Sequence, residues 1–268
     1  MAHVIQVGAG SGGMPVLDMV ARDARITTIT LIEPDVYKPH NVERHLFPQA
    51  AVGQPKATLA RAWLLERRPE LDVRIFPCEL QEPAQAAAIE AAVAEADIGI
   101  CAADNEPAKY HWDALMRRAR KPWTLGEVLS GGIGGFVHWF VPAGPCYGCV
   151  ASFLKRSIAV DKPNTPDYSQ PGGPKETTVP ASKASIAVVA GLHAQITLKV
   201  LGDSHYAPGF TSLLLTLEKV PDVFDEAFRP FRFRIARAAD CLICREGADP
   251  AGNLDQALDQ ALSRLQYG

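Results

Sequence analysis

Two sets of residues in this 268-residue chain have the types and the spacing to do chemistry. The first is a set of glycines with a distant acid. Gly8, Gly10 and Gly13 stand in Val4-Ile5-Gln6-Val7-Gly8-Ala9-Gly10-Ser11-Gly12-Gly13, and Glu33 follows Gly13 by 20 residues, closing Thr28-Ile29-Thr30-Leu31-Ile32-Glu33. Glycines between a strand and a helix let backbone N–H groups approach a phosphate at the helix N-terminus, and a carboxylate at that separation has the place to hold ribose hydroxyls. A nucleotide is therefore expected on this turn; the bland alternative is a glycine turn that serves only helix–strand packing.

The second set is sulfur. Of six cysteines, four form two CxxC pairs, Cys146/Cys149 and Cys241/Cys244, with 91 residues between the pairs. Two such pairs can surround one tetrahedral Zn²⁺ with four thiolates, leaving no open position, so the expected zinc is structural rather than catalytic. A thioredoxin-type redox pair is not expected, because neither pair reads as opening a helix directly after a strand. The alternative is two unrelated turns with buried or reducible thiols.

The elements that must position these residues follow from the pattern. Apolar strands are expected at Val4–Val7, Thr28–Ile32, Leu71–Phe76 and Asp97–Ala102, alternating with helices from about Met14, from the Gly53-Gln54-Pro55-Lys56 step to about Arg67, over Ala84–Ala96 and over Glu106–Arg120. Alternation of this kind predicts an α/β, Rossmann-like nucleotide-binding sheet flanked by helices. Trp123–Val128 and Gly135–Val141 read as further strands, Arg156–Ser182 as a long loop rich in Pro and Gly, and Ser182–Leu201 as a helix stopped by Gly202. Phe210–Leu217 and Phe231–Ala236 read as strands of a smaller C-terminal β layer, and Asn253–Leu265 as an amphipathic helix. The expected organisation is a nucleotide-binding core over residues 1–150 and an appended part over 151–268 within one compact unit.

Within that frame, the polar loop Pro34–His45 is too long for a plain connection, and long loops beside a nucleotide site tend to carry function. Asn41 and Arg44 would sit near phosphates if the loop folds back over the glycine turn. Lys56 stands at a helix start, where an anion is already favoured. Asp104 lies just past the fourth strand, over the crevice where open α/β sheets bind ligands, and is the first candidate for a Mg²⁺ ligand.

Bulk properties set limits. A hydrophobic fraction of 47% supports a full core, and a net charge of −3 suggests no nucleic-acid partner. No secretory signal and no 18-residue apolar run is read, so no membrane partner and a cytoplasmic protein are expected.

The order of the glycine turn, Glu33/Asp35, Asn41-x-x-Arg44, Gly53-x-x-Lys56, Ala103-Asp104-Asn105 and the paired CxxC motifs resembles the ThiF/MoeB/HesA superfamily of ubiquitin-activating-enzyme-like adenylyltransferases, from Val4 to about Cys244. The resemblance implies ATP- and Mg²⁺-dependent adenylation of a C-terminal carboxylate on a ubiquitin-like or sulfur-carrier protein, usually ending Gly-Gly. It implies that Gly8, Gly10 and Gly13 line the nucleotide, that Glu33 takes the ribose place, that Asp35, Asn41, Arg44 and Lys56 surround the phosphates, and that Asp104 takes the metal place. It also implies a homodimer, with a sheet edge or the Gly131–Gly135 region at the interface, and a downstream conjugating enzyme or sulfurtransferase.

Three departures from the family pattern stand out. The first strand starts at about residue 3, without the N-terminal helix whose Arg reaches a partner subunit's ATP, so another cation is expected in its place. The usual Arg-Gln is Arg44-His45. The loop before the helix at 182 has no cysteine, with Thr177 and Thr178 in roughly that place, so adenylation without an enzyme thioester there is expected. Cys78 and Cys101 read as strand-end or core thiols. Other readings remain open from the residues: adenylation of a peptide or small carboxylate, a nicotinamide-dependent oxidoreductase, or a binding scaffold without activity.

Overall fold

A computed structural model of the chain describes residues 1–158, 180–203, 206 and 208–245. Among the described residues eight strands form a single sheet: β1 (Ala2–Val7), β2 (Ile26–Ile32), β3 (Asp72–Phe76), β4 (Ile98–Cys101), β5 (Trp123–Val128), β6 (Gly134–Phe140), β7 (Ser212–Thr216) and β8 (Pro230–Phe233). Their order is β3-β2-β1-β4-β5-β6-β7-β8. The first five are parallel to their neighbours, and the pairs β5–β6, β6–β7 and β7–β8 are antiparallel. The parallel centre is covered on both faces, which explains why Val4, Ile5, Val7, Ile29, Leu31, Ile32, Ile98 and Ile100 are all buried without polar alternation.

Six α-helices among the described residues cover the sheet: α1 (Gly13–Val20), α2 (Lys56–Arg67), α3 (Ala86–Glu95), α4 (Glu106–Arg118), α5 (Tyr147–Ile158) and α6 (Lys183–Gly202). Residues of α1, α2 and α6 share one apolar cluster with one sheet face, and those of α3, α4 and α5 share another with the opposite face. By length and composition α6 would suffice to cross a membrane. It packs instead on α1, β5 and β6, burying Ile186, Val189, Ala190, His193, Ala194 and Val200.

Several expectations change. β7 and β8 are not a separate layer: they continue the main sheet through β6, because Gly134–His138 pairs with Ser212–Thr216. Both strands are also shorter than read. The region after the first CxxC pair is helical as α5, and the described part of the expected loop from Arg156 continues that helix to Ile158. Residues 159–179, including Thr177 and Thr178, and Asn253–Leu265 lie outside the described residues. Within the Gly131–Gly135 stretch, Gly131 is exposed, and Gly132, Gly134 and Gly135 are buried.

Strand order reverses between β1 and β4, the first two strands to run outward in opposite directions from the centre. Open α/β sheets bind ligands outside the carboxyl ends of such a pair. Gly8 follows β1 there, and Asp104 follows β4.

Candidate active site

Two cavities open at this switch point. The smaller, about 270 Å³, is bounded by Gly8 and Gly10, by Glu33 and Asp35, by Lys56 and by Asp104. The larger, about 400 Å³, is bounded by Ser11–Gly13, Arg44, Asp104, Lys109, the end of β5 and the inner side of α6. Ser11, Gly12, Ala102, Ala103 and Asp104 border both.

The glycine turn is dictated by close backbone approach. Gly8 has φ 89°, and a Cβ there would lie 2.6 Å from the Ala102 carbonyl oxygen; one on Gly13 would lie 2.4 Å from the Gly8 carbonyl oxygen. Any side chain at either position would separate β1, β4 and α1. Gln6 reinforces the turn by donating from its amide to the carbonyls of Gly8 (2.8 Å) and Gly13 (2.9 Å).

Glu33 is buried, with one carboxylate oxygen accepting from the Ala9 N–H and the other from the Asp35 N–H at 2.8 Å. Burial pushes its carboxyl above the usual carboxylate range, while the Ala9 N–H and the Lys56 cation oppose that rise. Helix α2 opens at Lys56 itself, with Pro55 as the capping residue. The Lys56 ammonium is 2.7 Å from the Asp35 carboxylate, and its side chain is only 7% exposed against 52% for Asp35. Lys56 thus brings a buried cation, paired with Asp35, to the wall of the smaller cavity.

The Pro34–His45 loop does fold back over the turn. Arg44 reaches the larger cavity, and its Nε is buried with no hydrogen-bond partner. Asn41 is not brought in: its side-chain oxygen accepts the Lys38 N–H at 2.9 Å, closing a local turn, and it borders neither cavity. Short polar side chains commonly make such local caps in preference to long-range contacts.

A charged network forms the far wall of the larger cavity. The Lys109 ammonium lies 2.5 Å from Glu127 and 2.9 Å from Glu106. Glu127 also lies 3.2 Å from His138 Nε2, and His138 Nδ1 meets Ser212 Oγ at 2.7 Å. Burial pushes the Glu127 carboxyl up, but the His138 and Lys109 contacts outweigh it and hold the group down at about 2. Lys109 stays charged: burial works against the ammonium, and the two carboxylates more than compensate. No short motif announces this network, since Glu106, Lys109, Glu127, His138 and Ser212 come from three separate parts of the chain.

The four paired cysteines converge. Sulfur–sulfur distances are 3.8 Å for Cys146–Cys149 and 3.5 Å for both Cys146–Cys241 and Cys149–Cys244, and all four sulfurs lie within 4.8 Å of one another. A tetrahedral zinc with bonds of about 2.3 Å sets its sulfurs roughly 3.8 Å apart, so the cluster fits that ion. The first pair lies at the start of α5, six residues after β6 ends and so not directly after a strand. The link back to the cavities is Tyr147, whose hydroxyl donates to Glu106 at 2.8 Å. The two remaining thiols lack the setting of a nucleophile. Burial raises Cys101 to about 12, and burial together with Glu82 and Glu79 raises Cys78.

A largely parallel sheet with a glycine turn at its switch point, Asp104 after β4 and four clustered cysteines defines a Rossmann-like α/β class of fold. The chain belongs to the ThiF family, which it matches over residues 1–234. It is similar to the SAMP-activating enzyme E1 of Haloferax volcanii, with 26% identity over 270 residues, covering 98% of this chain and 87% of that protein. It is also similar to the sulfur carrier protein adenylyltransferase of Thermus thermophilus, 30% identical over 154 residues, which are 56% of this chain and 55% of that protein. Among solved structures, E. coli MccB with ATP superposes with a TM-score of 0.65 at 21% identity, over 91% of this chain and 66% of MccB.

Proposed function

We propose that this protein is an adenylyltransferase that uses ATP to activate the C-terminal carboxylate of a small ubiquitin-like or sulfur-carrier protein. The observation that carries the reading is that Asp104 and the glycine turn form a common wall between two chambers, one suited to a nucleotide and one to the tail that reacts with it. The names of the Haloferax and Thermus relatives support the substrate class. The SAMP-type, Gly-Gly-ended tail is the first choice; a peptide substrate, as in MccB bound to N-formylated MccA, is the alternative that the larger cavity also accommodates.

In this reading Gly8, Gly10 and Gly13 approach the nucleotide, Glu33 faces the ribose, Asp35 and Lys56 stand by the phosphates, and Arg44 faces the α-phosphate from the tail side. Asn41 would reach the phosphates only by giving up its turn. A carboxylate oxygen bonds to the α-phosphorus as the bond to the bridging oxygen breaks, and pyrophosphate leaves with the electron pair. No proton moves and no side chain acts as nucleophile. Two anions must meet, so the cations Arg44 and Lys56 lower the barrier by neutralising charge that builds up between them. Asp104 would hold Mg²⁺, which supplies further neutralisation on the phosphates.

Zinc on Cys146, Cys149, Cys241 and Cys244 is assigned a structural role, and reduced thiolates suit the cytoplasm. A homodimer using a sheet edge, and a downstream conjugating enzyme or sulfurtransferase, complete the reading. ATP–pyrophosphate exchange tests it: exchange stimulated by a small protein with a Gly-Gly end is expected. Exchange stimulated only by a peptide would move the substrate class, and nucleotide binding without exchange under any substrate would refute the activity.

A further inference from the structure

Ala9 sits at the centre of the glycine turn, and both polar groups of its backbone are held by buried side chains far along the chain. Its N–H is taken by the Glu33 carboxylate. Its carbonyl is taken by His45 Nε2 at 2.8 Å, 36 residues away. His45 is 4% exposed and packs against the rings of Tyr37 and Phe47, with centroids 5.1 and 4.5 Å away. Its own carbonyl accepts from the Lys183 ammonium at 2.5 Å. Lys183 is the first residue of α6, the helix that walls the larger cavity.

We infer that His45 is a positioning residue of the nucleotide site: its imidazole fixes the Ala9 carbonyl opposite the Glu33 clamp, and its backbone ties the glycine turn to the start of α6.

The hydrogen-bond pattern sets the tautomer. A carbonyl oxygen can only accept, so Nε2 must carry the proton. The Phe47 N–H points at Nδ1 from 3.4 Å, so Nδ1 must be bare. The ring is thus a neutral donor, and its burial, together with the Lys56 and Lys183 cations, keeps it neutral. The Glu33 clamp holds the Gly8–Ala9 peptide and the His45 clamp holds the Ala9–Gly10 peptide, so neither plane on the two sides of Ala9 can turn without breaking a hydrogen bond. The turn therefore presents its N–H groups in a prearranged direction, and binding a phosphate need not order them. A glutamine side chain also carries an amide N–H donor, whereas leucine carries none, so the two substitutions separate the donor from the bulk of the ring.

This inference rests on the nucleotide reading above, and the experiment separates the two. ATP affinity is measured by titration calorimetry on the full-length wild type, His45→Gln and His45→Leu. Absence of ATP binding by the wild type would defeat the nucleotide reading itself. With wild-type binding in hand, His45→Leu is expected to bind about five- to tenfold more weakly, the loss typical of one buried hydrogen bond, while His45→Gln stays within about twofold of wild type. Unchanged affinity in His45→Leu, or equal weakening in both variants, overturns the inference. A second measurement needs no folded leucine variant. Nitrogen-15 NMR of histidine side chains at neutral pH, with His45 assigned by its loss in His45→Gln, is expected to show a neutral ring protonated on Nε2. A cationic ring or an Nδ1–H tautomer overturns the clamp.

Discussion

The two cavities are built by different means, although they share a wall. The smaller is mostly backbone and short-range pattern: the glycine turn after β1, Glu33 and Asp35 after β2, Lys56 at the first turn of α2. The larger is mostly side chains from distant elements: Arg44 from a loop, Lys109 from α4, Glu127 from β5 and His193 from α6. The first rests on a glycine turn whose backbone is packed against Ala102 and tied by Gln6. The second depends on a buried charge network and on cysteines that pin the antiparallel end of the sheet. The difference predicts that damage far from the switch point reaches the larger cavity before the smaller one.

Removing zinc should show the largest effect. Binding energies for four-thiolate zinc are of order 10 kcal/mol in small domains, and much of that becomes folding energy. Wild-type protein is expected to carry about one zinc per chain, and Cys244→Ser to lose it and unfold at markedly lower temperature. Tyr147, between two of the ligands, would then release Glu106, and substrate affinity should fall more than ATP affinity. A metal-free wild type of full stability would remove zinc from the account; equal losses in both affinities would remove the contrast between the cavities.

Lys109→Met comes next. The lysine is 8% exposed in its side chain and faces Glu106 and Glu127. Deleting one partner of a buried ion pair commonly costs about 3–5 kcal/mol, because the other charge is left uncompensated. Urea unfolding should register a loss of that order, and Lys109→Met with Glu127→Gln together should lose less than the sum of the two. Additive losses would mean the pair is not coupled.

Asp104→Ala touches the shared wall, so it should impair both chambers while leaving the fold intact. Removing one charge clamp on a transition state costs roughly a hundredfold or more in rate, about 3 kcal/mol. Near-normal pyrophosphate exchange in this variant would assign the metal role elsewhere.

The contrast between the chambers also explains what could be read from the chain alone. The parallel strands, the glycine turn and the Glu33 separation are local patterns with fixed periods, and they appear where periodicity places them. The two CxxC pairs were legible for the same reason: their spacing is the geometry. The Lys109–Glu127–His138–Ser212 network was not, since its members belong to no motif and meet only because β5, β6 and β7 pair in register. The bond from the Lys38 N–H to the Asn41 side-chain oxygen was not legible either, since a polar loop does not show which of its side chains will cap a local turn. β7 and β8 were assigned to a separate layer because a short strand's pattern does not say which edge it joins. The Arg44-His45 step was visible as an oddity, but only the fold puts the imidazole against Ala9.

The smallest effect tests the larger cavity from its α6 side. His193 is fully buried, accepts or donates at Thr124 Oγ1 across 2.9 Å, and borders the cavity. Burial, with a smaller contribution from nearby His138, lowers it from 6.5 to about 4. The native state therefore holds the ring neutral where the unfolded chain would protonate it. Above about pH 6.5 both states are neutral and the contribution to stability is fully present. As pH falls from there toward 4 the unfolded state alone takes up a proton, and stability is lost until the native ring protonates too. Between pH 7 and 5.5 the loss from this one group is about 1 kcal/mol. His193→Gln cannot titrate, so its stability should fall by that much less over the same interval, measured by urea unfolding with zinc in excess. His45 titrates in both proteins and cancels in the difference. Parallel pH profiles for wild type and variant would show that the α6 wall of the tail chamber admits water and a proton, and that this side of the larger cavity is as open as the smaller cleft.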